Sequence, residues 1–140
     1  VLLLIAVLHN CAVAETWVTA TLASWHTDRT VKHNERNFGL GVEHDVWKDT
    51  RVVGGFYKNS YYRQSQYVGA LWLPLQANGF KLGVLLGAVT GYDRLVGPFQ
   101  PTVLPTIMYE RKQWGANIGV MPSPQSGVTA LGLQVKWKWR

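Results

Sequence analysis

The sequence predicts an all-β fold: an eight-stranded antiparallel β-barrel that crosses a membrane with its strands. Three observations carry the prediction. Apolar residues recur at every second position in eight separate segments. The links between those segments alternate between short and long. The composition, with 14 Gly, 7 Trp and 6 Tyr in 140 residues, suits strands better than helices.

The chain opens on an aliphatic run, Val1 to Leu8, too short to cross a bilayer. Ala12-Val13-Ala14 follows, a small-x-small triplet of the kind a signal peptidase cuts. Residues 1–14 therefore read as the end of a secretory signal peptide, and residues 15–140 as a single barrel domain. The rival reading makes Cys11 a lipoprotein acylation site, but Asn10 stands where a small residue belongs. Cleavage after Ala14 discards the one cysteine, so no disulfide is expected.

Strands are expected at 17–28, 37–47, 51–60, 64–75, 80–92, 102–110, 113–121 and 128–139. The fifth is clearest: Phe80, Leu82, Val84, Leu86 and Ala88 share one face, and Lys81, Gly83, Leu85, Gly87 and Val89 the other. In the eighth, Leu131, Leu133, Val135, Trp137 and Trp139 form the apolar row. In a membrane barrel that row faces lipid, and the two tryptophans sit where an aromatic girdle meets the interface. Short turns fall at Trp47-Lys48-Asp49-Thr50, Ala77-Asn78-Gly79 and Arg111-Lys112, and longer links at 29–36, 93–101 and 122–127. The link at 61–63 is short for its side of the barrel. The inward glycines Gly39, Gly41, Gly83, Gly87 and Gly91 either leave room inside for a small ligand or mark bends.

Fourteen Lys and Arg stand against eight Asp and Glu, scattered without a helix-turn-helix or RNP-like pattern. Nucleic acid is not an expected partner of such an exported chain; anionic lipid is. A soluble calycin-like binding barrel would need a polar exterior, which the outward rows do not supply.

No phosphate-binding loop, cysteine pair or Ser-x-x-Lys motif is present, and no cofactor is expected. His44 between Glu43 and Asp45 has the look of a metal cluster, but adjacent strand residues point to opposite faces, so no metal site is expected. Three polar motifs gather at strand ends on one side: Ser24-Trp25-His26, His33-Asn34-Glu35-Arg36 and Tyr57-Lys58-Asn59-Ser60. Each has an ordinary reading. His26 can be an interfacial residue beside Trp25, Ser60 a strand-end hydroxyl bonded to backbone, and His33, Glu35 and Arg36 a solvated loop. Arg29, Lys32 and Arg36 also suit contacts with lipid phosphates.

In their order these motifs resemble the lipid A palmitoyltransferase PagP family, which carries Thr-Trp-His, then Tyr-Asn-Glu-Arg, then Phe-Lys-Asp-Ser. "LGVLLGAVTGYDR" and "PTVLPTIMYE" also run similarly to its central strands, so the resemblance covers most of residues 24–139. It implies a monomeric eight-stranded barrel in the outer membrane of a Gram-negative bacterium. Its implied activity is acyl transfer from a phospholipid, held by an interior pocket, to a lipid A hydroxyl. It further implies catalytic roles for His26 and Ser60, and places Asn59 where the family has Asp. An amide orients an imidazole without supplying charge, so Asn59 is expected to bond either the imidazole or the oxyanion. With cleavage after Ala14, only Glu15 and Thr16 would precede Trp17, and the family's amphipathic helix ahead of the first strand is not expected. The segment from Ser60 to Pro74 is shorter than the family's, which puts the residue that sets chain length near Gly69 to Leu71. The alternative is a non-catalytic outer-membrane barrel, lipid-binding or surface-modifying. Strands lie about 4.8 Å apart, so His26 and Ser60 are expected on one rim about 10 Å apart, needing a bend or a bridging ligand to meet.

Overall fold

The structure, a computed structural model, describes residues 13–92, 98–122 and 129–140. Its eight strands are β1 (Thr16–His26), β2 (Arg36–Trp47), β3 (Thr50–Lys58), β4 (Gln64–Ala77), β5 (Phe80–Val89), β6 (Gln100–Arg111), β7 (Trp114–Pro122) and β8 (Thr129–Lys138). Each pairs antiparallel with its neighbours in chain order, and β8 returns to β1 to close the barrel. Closure leaves no unpaired edge, as a sheet in hydrocarbon requires. β3 stops at Lys58, two residues earlier than its apolar pattern suggests, which lengthens the third link to residues 59–63. Most of the expected signal segment, Cys11 included, lies outside the described residues, as do parts of two long links.

Period two sets the exterior. Phe80, Leu82 and Leu86 on β5 and Leu131, Leu133 and Val135 on β8 are exposed, and Leu40, Val42, Val52, Phe56, Val68, Ile107 and Ile118 continue the belt around the wall. A continuous apolar girdle of this kind is matched by hydrocarbon and not by water. The fold is an eight-stranded transmembrane barrel of the outer-membrane type. Trp137 and Trp139 lie on its outer face, 57% and 70% exposed, as their parity with Leu131 requires.

The bore is packed in two levels. At the end carrying the short turns, the Arg51 guanidinium binds Glu110, Glu43 (3.1 Å) and Asp45 (2.5 Å). Lys136 reaches Glu43 at 2.9 Å and Glu110 at 2.5 Å, and Lys81 reaches Glu110 at 2.6 Å. These pairs tie β2, β3, β5, β6 and β8 across the interior. Buried charges survive only when paired in this way. Above them Tyr67 crosses from β4 toward Gln134 on β8 (3.4 Å), which also bonds Thr21 and Asn117. Val53, Leu71, Leu73 and Met108 form an apolar cluster inside the wall.

The inward glycines do not open a cavity. The space a side chain would take at Gly41 is occupied by the Tyr67 and Thr19 hydroxyls, and at Gly39 and Gly87 it is closed by the backbone of the neighbouring strand.

Candidate functional site

The site lies at the rim opposite the short turns, where β1 and β3 end. Trp17 and Thr19 point inward along β1, and simple alternation would then turn Trp25 inward and His26 outward. A register shift between Thr21 and Ala23 reverses the parity. Trp25 is consequently exposed and His26 is buried in the barrel mouth.

Ser60 is placed by a tight turn beyond β3. The Asn59 carbonyl accepts the Tyr62 N–H (3.1 Å), and its side-chain oxygen accepts the N–H groups of Tyr61 (2.9 Å) and Arg63 (3.0 Å). Tyr62 adopts a left-handed φ of 63°, a conformation that costs roughly 1 kcal/mol or more outside glycine. The Asn59 NH₂ donates to Ser65 Oγ (2.9 Å) and to the Gly91 carbonyl (3.0 Å). Gly91 is required there: its φ is 87°, and a Cβ would stand 2.9 Å from the Asn59 amide nitrogen. Asn34 completes the support, donating its side-chain NH₂ to the Asn59 carbonyl (3.0 Å) and its backbone N–H to the Ser60 carbonyl (2.9 Å).

These two devices bring Ser60 Oγ to 2.8 Å from His26 Nε2. The separation expected from strand spacing is bridged by the side chains alone, because the bulge turns His26 in and the turn folds Ser60 over the start of β2. Glu35 supplies a carboxylate on the other side of the ring. Its Oε1 accepts the His26 backbone N–H (3.3 Å), lies 3.8 Å from His26 Nδ1 and is held by Arg29 at 2.8 Å. The His26 N–H, aided by Arg29, keeps the Glu35 carboxyl below the usual carboxylate range, so it stays charged. His33 stacks on His26 with centroids 4.2 Å apart, and Tyr61 meets His33 edge-on.

Of the residues expected to act together, His26 and Ser60 meet. Asn59 does not join them: its amide is turned behind Ser60, and its oxygen and nitrogen are committed to Tyr61, Arg63, Ser65 and Gly91. Its part is to shape the turn that presents Ser60. Arg29 reaches the site through Glu35 and lies 5.3 Å over the Trp25 ring, while Lys32 and Arg36 stay exposed at the rim. Arg29, Lys32, His33 and Glu35 line a cleft of about 400 Å³ beside the pair. Glu35 is the residue that a solvated-loop reading missed. The available signal was that His26 ends β1 and Glu35 is the last residue of the link 27–35 before β2, so both lie at one rim. His44 turns outward to Thr16 Oγ1 (2.8 Å), away from Glu43 and Asp45.

No family model matches the chain, and no curated protein matches it. Among solved structures, the N-terminal β-barrel domain of Pseudomonas aeruginosa OprF is similar with a TM-score of 0.54 at 13% identity, covering 89% of this chain and 97% of that one. Ail, the attachment invasion locus protein of Yersinia pestis, aligns with a TM-score of 0.48 at 12% identity over 90% of this chain and 98% of its own. At such identity the OprF likeness bears on the fold alone, and it is the same closed barrel.

Proposed function

We propose that this protein sits in the outer membrane of a Gram-negative bacterium and, like the PagP family, moves an acyl chain from a phospholipid to a hydroxyl of lipid A. Ser60 is the nucleophile and His26 the general base. The observation that carries this reading is the 2.8 Å contact between Ser60 Oγ and His26 Nε2 at the membrane rim. With Nδ1 protonated and facing Glu35, Nε2 is the acceptor and the Ser60 hydroxyl the donor.

As Ser60 Oγ bonds to the ester carbonyl carbon, its proton passes to His26 Nε2. The tetrahedral intermediate expels the glycerol oxygen, which takes that proton from the imidazolium. The lipid A hydroxyl then attacks the acyl-Ser60 carbonyl, giving its proton to Nε2. Collapse releases Ser60, which recovers the proton. Glu35 supports the imidazolium in both halves. At 3.8 Å it acts through charge more than through a hydrogen bond, and it stands beside the imidazole where an Asn59 hydrogen bond was one expectation. Arg29, Lys32 and Arg36 offer cations to the lipid phosphates at the same rim.

One observation favours the non-catalytic alternative: His26 is only 5% exposed, so a lipid ester must displace part of the rim to reach it. Mass spectrometry of lipid A from a Gram-negative host, with and without this protein, separates the two. A mass gain of one acyl chain that disappears with Ser60→Ala supports transfer. A folded barrel that leaves lipid A unchanged supports the lipid-binding reading.

A further inference from the structure

We infer that the acyl chain handled at Ser60 never enters the bore but lies along the lipid-facing wall of β3, so that the site does not measure chain length. The inference rests on the acyl-transfer reading above and specifies its substrate: glycerolipid esters without selection for one chain.

The bore beneath Ser60 is occupied. Asn59 is fully buried under the turn, Tyr57 and Tyr92 join through their hydroxyls (2.9 Å), and Tyr61 packs edge-on against Tyr92. Tyr67 lies against Tyr57 with centroids 6.0 Å apart and reaches across to Gln134. The charged layer follows below. Gly69 and Leu71, the positions that the family resemblance offered for setting chain length, do not line a free pocket: a Cβ at Gly69 would strike β5, and Leu71 belongs to the apolar cluster.

The wall outside is open. Ser60 is half-buried in the turn just beyond β3, where the Asn34 N–H holds its carbonyl, so an ester that displaces part of the rim reaches it from the side of β3. Below it on the outer face run Lys58, Phe56, Gly54 and Val52. Gly54 lies between Val42 on β2 and Val68 on β4. A Cβ built there meets nothing nearer than 3.5 Å, which leaves a notch in a surface otherwise covered by side chains. Lys58, exposed at the top of the row, suits the phosphate of a glycerolipid whose chain descends over Phe56 and Gly54. A chain on this path stays in hydrocarbon throughout, whereas an interior path would require the tyrosines and the ion pairs to part.

The test uses the barrel refolded in vesicles with phospholipid donors of one headgroup and saturated chains from decanoyl to stearoyl. Transfer rates are expected to differ by less than about threefold across the series, whereas a pocket that measures length discriminates by about tenfold or more per methylene. A tenfold break between neighbouring donors overturns the inference. Gly54→Leu fills the notch, its Cβ standing 3.5 Å from the Tyr67 carbonyl, an ordinary contact that displaces no backbone. It should slow vesicle transfer by about tenfold, on the same scale of discrimination, while sparing a short water-soluble ester. Unchanged vesicle transfer would refute the path. Nuclear Overhauser contacts from lipid methylenes in nanodiscs should appear at Phe56 and Val52 and not at the Tyr57 or Tyr67 rings; contacts at those rings refute it as well. If no donor reacts at all, the acyl-transfer reading fails, and the Overhauser measurement still decides whether hydrocarbon enters the bore.

Discussion

A single oxygen of Glu35 accepts the backbone N–H of His26 at 3.3 Å and stands 3.8 Å from the same residue's ring Nδ1. The contact therefore fixes the end of β1 and the electrostatics of its last side chain together. Nδ1 has no hydrogen-bond partner among the described residues, so Glu35 is the group that a protonated Nδ1 faces. Glu35→Gln keeps an acceptor for the backbone N–H and removes the charge. Transfer should fall by about tenfold, a modest loss because the carboxylate is partly exposed and screened. Unaltered rates in the folded variant would remove Glu35 from the mechanism.

The pH profile follows from which group titrates. Glu35 is held below the usual carboxylate range, first by the His26 N–H, and remains ionised where a free carboxyl would protonate. The acid limb of the transfer rate should therefore be a one-proton loss, set by protonation of His26, which then ceases to be a base. Glu35→Gln should keep a one-proton limb. A second proton on that limb in the parent protein would show that Glu35 titrates with it.

Ser60→Ala and His26→Ala remove the nucleophile and the base. Each should lower transfer by about 10² to 10⁴. Heat-modifiable migration on gels should persist in both, since neither side chain belongs to the cross-bore network. A variant that transfers at the parent rate would show that the Ser60–His26 contact is structural.

Asn59→Asp should be harmful, although a carboxylate at this place in the sequence first suggests a better partner for the imidazole. The Asn59 amide faces away from His26, and its NH₂ donates to Ser65 Oγ and the Gly91 carbonyl. Aspartate would lose both donors and set a buried charge against a carbonyl, a loss on the order of 3 kcal/mol. The midpoint of urea unfolding in detergent micelles should fall along with transfer. An Asn59→Asp variant that is both stable and faster would reverse this assignment.

Lys136→Met leaves Glu43 and Glu110 short of one cation deep in the bore, where the Lys136 side chain is fully buried. The variant should lose about 3 kcal/mol or more of stability. The folded fraction should still transfer, because the rim pair does not touch this layer. Equal stability would mean that Arg51 and Lys81 suffice to hold both carboxylates.

Much of the architecture was legible in the residues themselves. Alternation from Phe80 to Val89 and from Leu131 to Trp139 is a local signal. In a strand, side-chain direction repeats every second residue whatever the partner, so inside, outside and strand number follow from the pattern. The rim location of His26 and Ser60 follows from strand ends in the same way. What alternation cannot reveal is where it breaks. The bulge after Thr21 turns His26 inward and Trp25 outward, and β1 carries the shift against both β2 and β8. Neither partner's register is written in the β1 residues. Asn59 reads as a neighbour of the imidazole until the turn through Tyr62 and the approach of Gly91 claim its amide. Glu35 reads as loop until closure lays the link against β1. The pairing of Lys136 with Glu43, 93 residues apart, depends on β8 returning to β1 at one register among several. The residues thus determine a membrane barrel and the rim where its polar motifs gather. Tertiary structure decides which of them touch, because contact across a closed barrel depends on the register of strands distant in the chain.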